Sequence, residues 1–310
     1  MKKLLVFDIG SNTVRTAKFV EGDDGLPVVK SKHVYTTRLA EGLIETGRLS
    51  QARMLQSLLV IRSVFTEAAE HGYECYAYAT SAVRDADNGA FFALETEQIL
   101  GEGRCRILAG EEEAAFAQRG ADPSGKRTIL DIGGGSTQLV KASSRESWPI
   151  GCVRAKDLAP FDELRQIMDA LRPVLSSLFG DPAQDDRPDA QSLEAIRRNQ
   201  SAVPLGVGGT ITTLALLCEG KPEFTPWEGE KPVEFLDLCA TLQTLSNMTD
   251  GERAELPLLK DRHDVILHGG VILLYLMERL HTTRVGATLS DGLDGYGAYL
   301  FETLKEKNFH

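Results

Sequence analysis

Short apolar runs and longer stretches of helical periodicity alternate along the chain, the pattern of sheets covered by helices. Leu4 to Phe7 is an unbroken apolar run cut by Asp8, a core strand, and a second strand runs away after Thr13. Ser50 is placed to cap a helix through about His71, with Leu55, Leu58, Leu59, Arg62 and Phe65 on a helical spacing and Gly72 as its stop. Cys75 to Thr80 alternates as a strand and enters a strand-to-helix turn at Ser81. Ile107-Leu-Ala-Gly opens a helix that begins with Glu111, Glu112 and Glu113. A further helix is predicted from about Asp162 to Phe179, with Leu164, Ile167, Met168, Leu171 and Leu175 as its buried stripe and Pro173 kinking or restarting it. Asp181 to Asp189 and Glu219 to Glu234 read as polar surface loops. Val265 to Met277 is a buried helix, short of the roughly 18 apolar residues that span a bilayer. Gly286 to Gly297 carries a strand and turn before a final helix.

One local plan occurs twice. Thr128 to Leu139, TILDIGGGSTQL, delivers Asp131 from a short strand to three glycines, and LLVFDIGSNTV does the same with Asp8, Gly10, Ser11 and Thr13. Gly133, Gly134 and Gly135 can adopt backbone angles closed to other residues, so consecutive N–H groups can point at one anion, with Ser136 and Thr137 adding hydroxyls. Asp131 cannot bind that anion itself; its task in this reading is a divalent cation that bridges to phosphate oxygens. Thr128 to Leu139 alone is equally compatible with a glycine-rich hairpin closed by an Asx-type turn. Two copies imply two similar halves, whose loops would make a cleft if they faced each other. Gly120 to Lys126 is the best boundary, giving a first lobe of 1–122, a second of 123–296, and a last helix, 297–310, packing back on the first.

Composition narrows the partners. The 310 residues and 42% hydrophobic content suffice for two cores. The net charge of -11 argues against nucleic acid or an anionic membrane as partner, but not against a polyphosphorylated substrate held by local arginines and a metal ion. Five scattered cysteines suit a reducing compartment, and the apolar run after the basic start is too short for a secretory signal, so the cytoplasm is the expected location.

Other segments offer chemistry with a plainer alternative beside it. Arg84 can reach a phosphate or pair with Asp85 or Asp87. The three glutamates can simply favour their helix dipole, and at most one or two can aim the same way. Val203 to Thr210 brings Gly208, Gly209 and Thr210 to a helix start suited to a phosphate, or makes a tight crossover. His263 and His268 are five apart without a third ligand and read as structural.

Taken in order, DIGSNTVR (8–15), RLAEGLIETGRLS (38–50), ATSAVRDADN (79–88), GEEEA (110–114), DIGGGST (131–137), GVGGTITTLA (206–215) and RHDVI (262–266) resemble the exopolyphosphatase and guanosine-pentaphosphate phosphohydrolase family over nearly the whole chain. The resemblance implies a duplicated ribonuclease-H-like α/β fold, as in actin, sugar kinases and acetate kinase, with the active site between two lobes. It implies Glu113 as the base that activates water, with Glu112 in reserve, and Asp131 and Asp8 as magnesium-site residues. It also implies Ser11, Asn12, Arg15, Arg84, Gly134, Ser136, Thr137, Gly208, Gly209 and Thr210 as phosphate contacts, and a homodimer is compatible with it. Gln138 stands where the family pattern has glutamate, Asp294 where it has arginine, and the chain ends before the helical domain of the long members. The leading expectation is an exopolyphosphatase, followed by a guanosine pentaphosphate phosphohydrolase. A polyphosphate or nucleotide sensor without turnover is the reading from another class; a kinase or chaperone-type ATPase is disfavoured by GEEEA.

Overall fold

The computed structural model describes residues 2–182 and 203–306. The stretch 183–189 of the expected polar loop lies outside the described residues. The chain divides into two units, Met1–Pro123 with Ser290–His310, and Ser124–Leu289. It therefore returns to the first unit at Ser290, ahead of the expected position 297, because the final helix already begins at Gly292.

In the first unit β1 (Lys3–Ile9), β2 (Thr13–Glu21) and β3 (Pro27–Thr36) form an antiparallel meander, while β4 (Glu74–Ala79) and β5 (Cys105–Ile107) add in parallel, giving the order β3-β2-β1-β4-β5. β1 is apolar without alternation because both its faces are covered. A short helix α1 (Leu43–Thr46) precedes α2 (Gln51–Glu70), whose first turn is capped by Ser50 Oγ accepting from Arg53 N. The buried face of α2 is Ser57, Ile61, Val64 and Ala68, not the expected stripe: Leu55 and Leu59 are each 58% exposed. Apolar residues occupy both sides of this helix, so spacing alone could not choose between them. α3 (Ser81–Asp85), α4 (Gly89–Leu100) and α5 (Gly110–Ala121) follow.

The second unit contains β6 (Ile129–Ile132), β7 (Thr137–Lys141), β8 (Ser144–Trp148), β9 (Leu205–Val207), β10 (Lys231–Glu234) and β11 (Arg284–Ala287) in the order β10-β11-β9-β6-β7-β8. Without β10 the sequence β8-β7-β6-β9-β11 repeats the first sheet strand for strand, parallel and antiparallel neighbours included. The expected surface loop 219–234 thus ends in an edge strand, where Pro232 is tolerated. Its helices are α6 (Cys152–Leu158), α7 (Leu164–Phe179), α8 (Gly208–Cys218), α9 (Phe235–Ser246), α10 (Asp250–Ala254) and α11 (Ile266–Arg279). α7 continues through Pro173, which lies on its solvent side, and its buried stripe ends on Phe179 while Met168 is exposed. α11 is buried from Ile266 to Met277 and forms the middle of the core. No helix among the described residues is long and apolar enough to cross a membrane.

The last helix, α12 (Gly292–Glu306), joins Leu293, Tyr296, Leu300 and Phe301 to Leu4, Val6 and Phe19 in the first unit's core. It meets α5 backbone to backbone: a Cβ on Gly295 would collide with the Phe116 carbonyl, and one on Gly120 with that of Asp291. Gly295→Leu is expected to cost about 3 kcal/mol or more, because the facing Phe116 carbonyl belongs to the α5 backbone and cannot move aside. An unchanged denaturant midpoint would show that the contact carries no such constraint.

His268 donates from Nε2 to the Ala159 carbonyl at 2.8 Å, while its buried Nδ1 has no partner, and burial pushes its pKa down from 6.5 to about 4. The unfolded imidazole takes up its proton first as pH falls. Stability supplied by neutral His268 is therefore full above pH 6.5 and is lost between there and about pH 4. The loss amounts to about 3 kcal/mol. Chemical denaturation of wild type and His268→Gln from pH 7 to 4 should show the difference between them shrinking; a constant difference would contradict it.

Candidate active site

In the first unit the parallel register pairs Ile9 with Ala79 and Ala79 with Ile107, so β1, β4 and β5 end together. Sheets of this kind bind ligands beyond the carboxyl ends of their parallel strands. Three loops gather there. Gly10–Asn12 closes the first hairpin, with Gly10 N donating to Thr13 O at 3.0 Å. Ser11 Oγ lies 3.1 Å from Ser81 Oγ, joining that hairpin to the start of α3. The Asn12 carbonyl accepts from Thr37 N and Arg38 N, and Ser11 O from Ala40 N, which fastens the Arg38-Leu-Ala-Glu segment over the turn.

The third loop leads into α5, where the three glutamates separate. Glu111 is exposed. Glu112 accepts from Ala109 N at 3.0 Å and from Arg106 Nη2 at 2.7 Å, so it is spent on the start of its own helix. Glu113 has only 9% of its side chain exposed and lies with Oε1 3.3 Å from Arg84 Nη1. Arg84 also donates to Leu108 O at 2.9 Å and pairs with Asp85, the neighbour expected as its plainer partner.

Asp8 and Arg15 stand directly opposite each other on β1 and β2 and form a short ion pair. Arg15 also pairs with Asp291, and Lys32 reaches both Asp291 and Asp294. Burial pushes the Asp8 carboxyl up despite Arg15. Burial acts on Asp291 in the same sense, but there Arg15, Lys32 and the Leu293 N–H together prevail and hold it below the usual carboxylate range. Asp294, also raised chiefly by burial, accepts from Asp291 N at 2.8 Å. Lys32 from β3 thus places a cation beside Asp294.

The second unit repeats the hairpin, with Gly133 N donating to Ser136 O at 2.9 Å. None of Gly133, Gly134 and Gly135 adopts a positive φ. The loop is packed closely from one side: Cys152 N and Val153 N donate to the carbonyls of Gly133 and Gly134. A Cβ on facing Gly151 would collide with that same loop. Thr137 Oγ1 donates to Ile150 O at 2.5 Å. Across the strand from Asp131 stands Gln138, buried and donating to Ser136 Oγ at 2.9 Å and Ser147 Oγ at 3.3 Å. Asp131 pairs in register with Val207, and Gly208 has φ +80°, with a Cβ there only 2.6 Å from Asp131 Oδ1. The carboxylate therefore lies against the first turn of α8, where the dipole favours it. Gly209 leaves room for the Arg262 guanidinium, while Thr210 is buried against Gly269 of α11.

These positions set the two aspartates in different surroundings. Asp8 already neutralises an arginine and does not fit a divalent cation. Asp131 faces an uncharged amide, and one carboxylate completed by substrate phosphates and water is a common magnesium arrangement. No group of three or more His, Cys, Asp or Glu side chains among the described residues could hold a metal by itself. Sequence reasoning missed Arg262, although its RHDVI segment was in view, and Asp291, whose partner Arg15 is 276 residues away. His263 bonds to Asp250 at 2.8 Å, and His268 to Ala159 O.

The chain matches the Ppx/GppA phosphatase family over residues 19–292. It is 26% identical over 297 residues to exopolyphosphatase 1 of Mycobacterium bovis, covering 91% of this chain and 83% of that protein. It is 34% identical over 160 residues to a guanosine-5'-triphosphate,3'-diphosphate pyrophosphatase of Vibrio vulnificus, covering 47% of this chain and 31% of that one. The crystal structure of an Aquifex aeolicus Ppx/GppA family member superposes with a TM-score of 0.72 at 23% identity, covering 98% of both chains, and so shares the fold. With the duplicated strand order above, the fold is the doubled ribonuclease-H-like one, and the chain belongs to the Ppx/GppA phosphatase family, hydrolases of phosphoric anhydrides.

Proposed function

We propose that the protein is an exopolyphosphatase that releases orthophosphate from the end of inorganic polyphosphate. The observation that carries this is Glu113: of three adjacent acids it alone is nearly buried at the edge where β1, β4 and β5 end, while Glu112 is bonded to the helix start. A water held by Glu113 gives up a proton to the carboxylate as its oxygen bonds to the terminal phosphorus. The bridging P–O bond breaks, and the shortened chain leaves as an oxyanion. Phosphoryl transfer needs little more than an aligned nucleophile and neutralised oxygens.

Ser11, Asn12 and Thr13 are assigned to phosphate oxygens in the first unit, and the Gly133–Ser136 loop with Gly208 and Gly209 in the second; Thr137, expected among them, is buried with its hydroxyl on Ile150 O. Asp131 would hold a divalent cation, magnesium being the natural choice, which supplies charge neutralisation at phosphate oxygens when bound. Arg262, packed at the start of α8, adds fixed positive charge there. A guanosine pentaphosphate phosphohydrolase is the second reading, favoured by the higher identity of the shorter match to the Vibrio protein.

Glu113→Gln is expected to lower kcat by about 10²- to 10⁴-fold while leaving tripolyphosphate binding by calorimetry unchanged. A variant that keeps wild-type turnover would remove Glu113 from the chemistry. Orthophosphate release should be faster from polyphosphate than from guanosine pentaphosphate. The reverse order would install the second reading, and binding without release from either would make the protein a sensor.

A further inference from the structure

We infer that Arg84 is a positioning residue for Glu113 rather than a grip on the substrate phosphate. The inference rests on Glu113 being the base. Arg84 has three partners, one of them its neighbour: Asp85 Oδ1 at 3.2 Å through Nε, and the Leu108 carbonyl at 2.9 Å and Glu113 Oε1 at 3.3 Å through Nη1. Leu108 is itself held, its N–H donating to Ala79 O at the end of β4. The guanidinium is planar and rigid, so contacts at Nε and Nη1 fix its whole orientation. A head anchored in this way cannot swing to follow a chain that shortens by one phosphate per turnover.

What the anchored head does offer is a fixed positive partner for a nearly buried carboxylate. Glu113, 9% exposed, sits in the first turn of its helix, and a cation held against it offsets part of the cost of its burial. Arg84 joins the end of β4, the loop after β5 and the base on α5 into one unit, which sets the direction from which Glu113 addresses water. Misplacing a reacting group by about 1 Å can cost on the order of 10²-fold in rate. The effect of losing Arg84 should therefore fall on the chemical step and act through Glu113.

The test is a kinetic and binding cycle on the full-length protein with tripolyphosphate as probe. Arg84→Gln is expected to lower kcat about 10- to 100-fold with KM held within about threefold, and Arg84→Lys, which keeps the charge, to recover several-fold of that loss. In a Glu113→Gln background, Arg84→Gln should cost nothing further in rate and leave the calorimetric Kd unchanged within about threefold. A tenfold or greater rise in KM or Kd, or full additivity of the two losses, would make Arg84 a phosphate ligand and overturn the inference. Wild-type kcat in Arg84→Gln would overturn it too. Should Arg84→Gln fail to fold by circular dichroism, the same division between kcat and KM is read from Arg84→Lys. A wild-type protein that turns over neither polyphosphate nor guanosine pentaphosphate defeats the functional reading, and this inference with it; a working wild type with a raised KM in the variant defeats the inference alone.

Discussion

Antiparallel pairing fixes which side chain stands across from each hairpin aspartate, and the rest of the site follows from that neighbour. In β1 and β2 the residue opposite Asp8 is Arg15; in β6 and β7 the residue opposite Asp131 is Gln138. Directly opposed side chains share a face and lie close together, so a cation across the strand consumes the carboxylate and an amide does not. Two copies of one hairpin thereby acquire different chemistry. The first becomes a buried ionic anchor that, through Arg15 and Lys32, ties the returning segment at Asp291 and Asp294 to the first sheet. The second sets its carboxylate beside an amide and against the start of α8.

The same economy of register places Glu113, the base of the proposed reaction. Because β1, β4 and β5 end at one level, three loops that are far apart in sequence reach one edge, and hydrogen bonds between Ser11 and Ser81 and from Arg84 to Leu108 lock them together. α5 is then held from its other side by α12 through glycines at 120 and 295 that allow the backbones to touch. A helix fixed in this way can present one carboxylate with little freedom, which suits a reaction in which alignment supplies most of the acceleration.

Much of this could be read in the sequence because glycines and aspartates mark it. The doubled DIG hairpins, the strand into Gly208 and the Ser50 cap each leave a local signature, and the structure places each where local chemistry requires. What could not be read depends on contacts distant in sequence or on choices between equal faces. Leu55 and Leu59 suit a buried stripe as well as Ser57, Ile61, Val64 and Ala68 do, and only the neighbouring sheet decides. The short, proline-bearing β10 has no period to recognise. The glycines at 133–135 were expected for unusual backbone angles, yet none has a positive φ, and the position where close packing demands glycine is 151, opposite them. The role of Glu113 came from resemblance; the distinction from Glu112 became physical only when Glu112 was seen bonded to Ala109 N.

The claim that the two aspartates have parted roles is tested most directly by titrating Mn²⁺, as a magnetic stand-in for magnesium, into Glu113→Gln protein carrying tripolyphosphate. Adding Asp131→Asn should weaken the protein-dependent Mn²⁺ site seen by electron paramagnetic resonance at least about tenfold, since a first-coordination carboxylate is lost, whereas adding Asp8→Asn should leave it in place. Loss of the site with Asp8→Asn and its survival with Asp131→Asn would contradict the account.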